Sequence, residues 1–386
     1  MTARGYGANR LEAYRQDLED RRNGYPERSR ARWGYVRPPG GRGRVLWIKA
    51  GDSYDSIRLA VDLACAIHDR RRDVRIVTTF EVAFPPALAR LRSLARAAMG
   101  YGPCDVSSAV DRFLARLDPL AVLVVDSRAG EHLMRALARG ERHVVAVHAE
   151  YPGAGYFEAG LPRDEAAAER LERHAHCFGS IAEPVDGLSM LVDAHASPSL
   201  KVLATAGEER TLWWWQGVSP GSLAGIGRIW QTFAREVAGI LILGGVRCEQ
   251  FEVQWSRGPV VSISSWDRSA LPVASVIRID DPRWEIAVAA AADGVHFSGT
   301  ERGAVWQCAA MGATMSFGPE MPQALSADLG ERSTDEPAEV IARWRSSRSL
   351  VNESRSRADR ARRRFWFERR RARIVFDELL DRVFAW

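Results

Sequence analysis

Lysine is almost absent from this sequence: Lys49 and Lys201 stand against an otherwise arginine-only set within 54 basic residues. With 49 acidic residues the formal charge is only +5, so charge permits an anionic partner without selecting one. Cysteine is sparse too. The five, Cys65, Cys104, Cys177, Cys248 and Cys308, are scattered without a Cys-x-x-Cys pair. An odd count in a large chain argues against a disulfide framework and suggests a reducing compartment. No cysteine and histidine set has structural-zinc spacing, and His143, His148, His174 and His176 make no convincing metal site. No apolar run approaches the roughly 18 residues of a spanning helix, and the N-terminus lacks a signal-peptide apolar region. A Gly-x-Ser-x-Gly elbow is also missing, which argues against an α/β-hydrolase.

What remains is ordinary for a folded soluble chain: 46% hydrophobic and 27% charged residues over 386 positions exclude wholesale disorder. At roughly 150 residues per domain the length suggests two to three domains. Residues 1–44 read as a polar lead-in with a helix over 9–22. Short apolar runs at 45–48, 74–79, 120–125 and 144–148 then alternate with helical patterns at 56–68, 107–117 and 131–139. This is the signature of βαβ units on a parallel sheet buried on both faces. A charged helix over 164–174 and a linker over 184–198 follow. The alternation restarts with strands expected at 200–204, 240–243, 260–264, 276–279, 294–297 and 314–317. Helices are expected at 222–237, 284–292, 304–311, 337–345 and 356–384. The expected domains are 1–44 (lead-in), 45–183 and 184–386. In such sheets ligands sit beyond the C-terminal ends of the strands.

Several strand–helix junctions could carry chemistry. After the first strand comes Gly51-Asp52-Ser53-Tyr54-Asp55. Asp55 reads as a general base at the sheet edge or as a helix-start carboxylate, and the residues alone leave both open. Gly207-Glu208-Glu209 and Gly299-Thr300-Glu301-Arg302-Gly303 open two later helices, where free amides can hold a phosphate. Trp213-Trp214-Trp215 reads as core or as a stacking surface. The C-terminal arginine run could meet anionic lipid or nucleic acid, or form a solvated ion-paired face.

In order along residues 20–385, these segments resemble the Kdo transferase family, which moves 3-deoxy-D-manno-octulosonic acid from CMP-Kdo onto lipid A precursors. The lead-in Arg22-Asn23-Gly24-Tyr25-Pro26-Glu27-Arg28 and the strand Val45-Leu46-Trp47-Ile48-Lys49-Ala50 are similar to its opening. Asp55 falls on the family's catalytic glutamate, and Val124-Val125-Asp126-Ser127-Arg128 takes the place of its Glu-Thr-Glu stretch. Arg247-Cys248-Glu249, Asp281-Pro282-Arg283-Trp284-Glu285, Gln307-Cys308-Ala309-Ala310-Met311-Gly312 and Ser316-Phe317-Gly318-Pro319-Glu320-Met321 follow its later motifs.

The resemblance implies an α/β, GT-B-type enzyme, two Rossmann-like domains facing a central cleft, inverting and needing no metal or cofactor. Asp55 would be the base. Asp52, Ser53, Tyr54 and Arg128 would lie on the acceptor side. Arg247, Arg283, Trp284, Glu285, Gly303, Ala304 and Gln307 would bind a CMP-linked ulosonic acid. The acceptor would be a glycan or glycolipid, in the cytoplasm or against the inner membrane face. There are departures. Ala304-Val305-Trp306-Gln307 replaces the family's nucleotide-binding Asn-x-x-Glu. The hydrophobic N-terminal anchor is absent, and about two dozen residues are missing between Tyr151 and Arg163. A repurposed glycosyltransferase fold acting as a binding or scaffold protein is therefore the alternative, and nucleic-acid binding ranks last.

Overall fold

A computed structural model of the chain describes residues 4–83, 85–148, 155–195, 200, 210–245, 260–267, 271–299 and 302–386. The helices among them are α1 (Arg4–Arg22), α2 (Pro26–Arg32), α3 (Tyr54–Arg70), α4 (Pro85–Arg92), α5 (Ser107–Leu117), α6 (Glu131–Arg139) and α7 (Glu165–Glu172). They continue with α8 (Pro220–Val237), α9 (Glu285–Ala291), α10 (Arg302–Met311), α11 (Gln323–Leu329), α12 (Pro337–Ser349) and α13 (Val351–Ala385). The chain forms two compact units, Met1–Gly187 with Arg371–Trp386, and Leu188–Arg370. The last helix, α13, begins in the second unit and ends in the first.

The first unit is built on six parallel strands: β1 (Val45–Ala50), β2 (Arg75–Phe80), β3 (Ala97–Tyr101), β4 (Pro119–Val125), β5 (His143–Val147) and β6 (Ala159–Leu161). Their order in the sheet is β3-β2-β1-β4-β5-β6. Val-Leu-Trp-Ile-Lys-Ala of β1 is buried along its whole length, as a central strand covered on both faces must be. Trp47 packs on Phe113 with ring centroids 4.6 Å apart. Its indole nitrogen donates to Thr79 Oγ1 at 2.8 Å, so the core tryptophan keeps its polar atom satisfied. The lead-in expected to hold one helix over 9–22 holds two, α1 and α2. Pro26 opens α2 at a position that needs no amide donor. Arg32 then donates to Asp20 at 2.5 Å, tying α2 to α1. The tail of α13 closes this unit with Leu379, Leu380 and Val383 buried, and Arg70 pairs with Asp377 at 2.5 Å.

The second unit holds seven parallel strands: β7 (Thr211–Gln216), β8 (Gly239–Gly244), β9 (Val260–Ser262), β10 (Val276–Arg278), β11 (Gly294–Phe297), β12 (Thr314–Phe317) and β13 (Glu331–Arg332). Their order is β13-β12-β11-β7-β8-β10-β9. The three tryptophans lie on central β7 and none exceeds 1% exposure, which decides for core over stacking surface. Alternation sends Trp213 and Trp215 to one face, with Phe233 and Trp344, and Trp214 to the other, against Phe297. Of the strand expected at 200–204 only Leu200 is among the described residues. No helix among the described residues is long and apolar enough to cross a membrane.

Candidate functional site

Both sheets reverse their winding direction once: between β1 and β4 in the first unit, and between β7 and β11 in the second. The connections diverge there, leaving a crevice beyond the strand ends, and chemistry-bearing residues stand at both places.

In the first unit Gly51 follows β1. A β-carbon there would lie 2.2 Å from the carbonyl oxygen of Asp126, so only glycine lets the two strand ends come so close. The Gly51 amide donates to Ser56 Oγ at 2.7 Å, and that hydroxyl donates to Val125 O at 3.0 Å, which locks the junction. Ser53 caps α3 by accepting from the Ser56 amide at 3.0 Å. Asp55 sits in the first turn of α3, its side chain 18% exposed, with Arg58 4.0 Å away. Tyr54 lies under the Arg58 guanidinium, 5.6 Å from its ring centre.

Across the junction, Asp126 follows β4 with φ +43°, a conformation uncommon outside glycine. Strain of this kind gathers where function demands a geometry. Ser53 Oγ donates to Asp126 at 3.4 Å, and Arg163 stands 3.7 Å from it. Burial pushes the Asp126 carboxyl up to about 6, with Asp55 and Asp186 adding to the rise and Arg163 and Ser53 opposing it. Its charged form is thus held close to the proton-exchange range of neutral solution. Nearby, buried His148 accepts the Gly187 amide proton on Nε2 at 2.7 Å.

A cavity of about 420 Å³ opens on this junction, lined by Lys49, Gly51, Asp52, Glu81, Asp126, Ser127 and Arg128. A second, of about 300 Å³, shares Lys49, Glu81 and Arg128 and adds Gln16, Arg32 and Asp105 among others. Lys49 is 7% exposed, and its ammonium donates to Ser127 Oγ at 2.6 Å and Glu81 at 3.4 Å. The lining joins cations (Lys49, Arg128), carboxylates (Asp52, Glu81, Asp126) and a hydroxyl (Ser127), and such a mixture of donors and acceptors suits a polyhydroxylated ligand. Of the residues expected on the acceptor side, Asp52 and Arg128 line the cavity and Ser53 reaches it through Asp126. Asp55 is not among the lining residues, whereas Asp126 is.

Sequence reasoning assigned no role to Asp126, Lys49, Glu81 or Arg163. The available signal was a lone carboxylate ending the apolar run of β4. Its proximity to the β1 junction depends on strand order.

In the second unit Gly217 follows β7 with φ +76°, and a β-carbon there would lie 2.8 Å from the Gly299 nitrogen beyond β11. Gln216 donates to Glu285 at 3.0 Å, placing this acid of α9 at the crevice. Trp284 is half-buried beside it. Arg283 is largely exposed and forks onto Asp281, at 2.8 and 2.5 Å, which holds that carboxyl below its usual range. Gly303 and Ala304 are buried in the first turn of α10. Gln307 spends its amide on a neighbouring peptide: its oxygen accepts from the Asp193 amide at 3.1 Å and its nitrogen donates to the Asp193 carbonyl at 2.7 Å. Arg247, the turn Gly207-Glu208-Glu209, Thr300 and Glu301 lie outside the described residues. Among the described residues no group of three or more His, Cys, Asp or Glu side chains is arranged to hold a metal ion.

Residues 27–152, about a third of the chain, match the family of 3-deoxy-D-manno-octulosonic-acid transferase (kdotransferase). The sequence resemblance to that family is thereby shown over the segment that carries β1, β4 and the first cavity. No curated protein matches the chain. Among solved structures it is similar to a putative UDP-N-acetylglucosamine 2-epimerase from Listeria monocytogenes, with TM-score 0.60 and 10% identity over 82% of this chain and 91% of that one. The UDP-GlcNAc 2-epimerase of Neisseria meningitidis, bound to UDP-GlcNAc, gives 0.59 and 10% over 88% and 100%. A glycosyltransferase from Rickettsia africae gives 0.54 and 8% over 88% and 99%. At such identities the likeness concerns the fold: two parallel-sheet α/β domains of the GT-B class.

Proposed function

We propose that this protein is a glycosyltransferase that moves Kdo or a related ulosonic acid from a CMP-activated donor to a glycan or glycolipid acceptor, with inversion and without a metal. The observation that carries the reading is the carboxylate pair at the first switch point. Asp126 lines a polar cavity, and burial pushes its carboxyl up to about 6 against the opposing Arg163, inside the segment that matches a family of this activity. The first unit binds the acceptor and the second the nucleotide.

In the reaction an acceptor hydroxyl attacks the anomeric carbon of the donor. The bond from that carbon to the CMP phosphate oxygen breaks, and the phosphate takes the electron pair. The hydroxyl proton passes to this pair of carboxylates, Asp55 and Asp126. Asp55 occupies the position of the family base, and Asp126 presents the cavity-facing carboxylate. Glu285, Trp284 and Arg283 meet the donor's nucleoside, and the family resemblance gives Arg247 a role in the same binding. The amides of Gly303 and Ala304 at the start of α10 meet the leaving phosphate, where the helix end favours negative charge. The enzyme works in the cytoplasm.

Release of CMP from CMP-Kdo, measured with an acceptor panel, tests this. Asp55→Asn and Asp126→Asn should each lower turnover by roughly 10²- to 10⁴-fold while CMP still raises the melting temperature. Turnover unchanged in both variants would end the proposal.

A second reading is favoured by one observation. Gln307 stands where the family has a nucleotide-binding glutamate, and its amide is engaged by Asp193. A repurposed, non-catalytic fold would give neither turnover nor a CMP-dependent thermal shift.

A further inference from the structure

We propose that the outer face of α13 between Arg360 and Arg370 docks on an anionic phospholipid surface. Ala361, Phe365 and Glu368 turn inward and are buried. Trp366 and Phe367 turn outward, 50% and 56% exposed. Two adjacent large aromatics left half in water on a regular helix are uncommon in a soluble protein and mark an interaction face.

The charge around them is predominantly positive. Arg360, Arg363 and Arg370 are exposed on the same side, at helical spacings that place them around the two rings. None of the three forms an ion pair among the described residues. The nearby acids are already engaged: Asp359 with Arg362 at 3.5 Å, buried Glu368 with Arg364 at 3.6 Å, and Asp328 with the same Arg364 at 3.9 Å. One turn further along the same helix, Arg373 and Ile374 are exposed as well. Arginines flanking outward aromatics form the pattern of a helix lying in a bilayer interface: the rings enter the headgroup region and the guanidinium groups meet lipid phosphates. The rings are less suited to stacking on bases. Arg369 stands over the Trp366 ring at 5.6 Å and Arg364 over Phe367 at 5.9 Å, so each ring already has a face covered by a cation. This surface is independent of the catalytic reading.

The test is co-sedimentation of the full-length protein with vesicles of pure phosphatidylcholine or with 30 mol% phosphatidylglycerol, alongside a single-stranded RNA competitor. The expected result is binding to the anionic vesicles only, weakened by 0.5 M NaCl. R363Q/R370Q should weaken it by roughly 25-fold, at about fivefold per arginine near an anionic surface. R363K/R370K should retain most of the binding. W366S/F367S should abolish the part that survives high salt. These positions are on the surface, and an unchanged circular dichroism spectrum separates lost binding from lost folding. No sedimentation with anionic vesicles, or sedimentation that neither double variant changes, overturns the proposal. Release of the protein from vesicles by stoichiometric RNA also overturns it and makes nucleic acid the partner of this face.

Discussion

Asp126→Asn should stabilise the first unit, and by an amount that depends on pH in a specified way. The carboxyl has an ordinary value of 3.8 and stands at about 6 in the folded protein. The folded chain therefore holds the proton more tightly than the unfolded chain does. Between these values the folded state binds more protons, so stability falls as pH rises. The favourable contribution is complete below pH 3.8 and lost once the pH has passed about 6. At about 1.4 kcal/mol per unit, the two-unit difference amounts to about 3 kcal/mol. Asparagine has the same shape and does not titrate, so it removes the charge that burial penalises. The difference between variant and parent should be flat below pH 4, climb from pH 4 to 6, and level off about 3 kcal/mol higher near pH 8. Urea titrations at each pH, with pulsed hydrogen exchange of β1 and β4 peptides as readout, isolate this unit from the other. A flat difference across the range, or a variant less stable at pH 8, would refute the argument. It would mean that the Arg163 ion pair at 3.7 Å outweighs burial.

Other consequences follow from the same contacts. Gly51→Ala must push the β1 and β4 ends apart, because its β-carbon would meet Asp126 O at 2.2 Å; a loss of roughly 1–3 kcal/mol and a lower melting temperature are expected. Trp215→Ala empties a fully buried site on β7 and orphans Ser298 Oγ, which accepts its indole N–H at 2.7 Å. Chemical denaturation should show the second unit weakened by roughly 3–5 kcal/mol. Gln307→Ala removes both hydrogen bonds to the backbone of exposed Asp193, costing roughly 0.5–1.5 kcal/mol for each bond lost. Isothermal titration with CMP on the same variant then tells whether that amide also serves the nucleotide: an unchanged dissociation constant assigns it to structure alone.

Much of the architecture was legible because its signals are local. The runs ending in Ala50, Val125 and Val147 are apolar throughout, which suits strands buried on both faces, and helices α5 and α6 end where their amphipathic patterns end. Strand β3, Ala-Ala-Met-Gly-Tyr, was not legible: its small, half-exposed residues carry no strand pattern, and pairing with β2 holds it in place. Helix α2 was masked by a polar sequence whose burial comes from pairing, Arg32 with Asp20 and Ser29 with Asp17. The triple tryptophan stayed open between core and surface until the sheet placed β7 between β11 and β8.

At the site, the sequence by itself determined which residue types stand at strand ends: Gly51, Asp55, Asp126, Glu285 and Gly303. It also determined the resemblance that gives several of them expected roles. Only the tertiary structure decided which of them meet. Asp126 is 75 residues from Gly51 in the chain, and the two touch because β4 pairs beside β1, a choice made by burial of both strands in one core. The same holds for the arginines of α13. Composition lists them together, while packing separates Arg364 and Arg371, which hold acids, from Arg360, Arg363 and Arg370, which face outward. Residue identity sets what chemistry is available, and burial with strand order sets which groups lose water and meet.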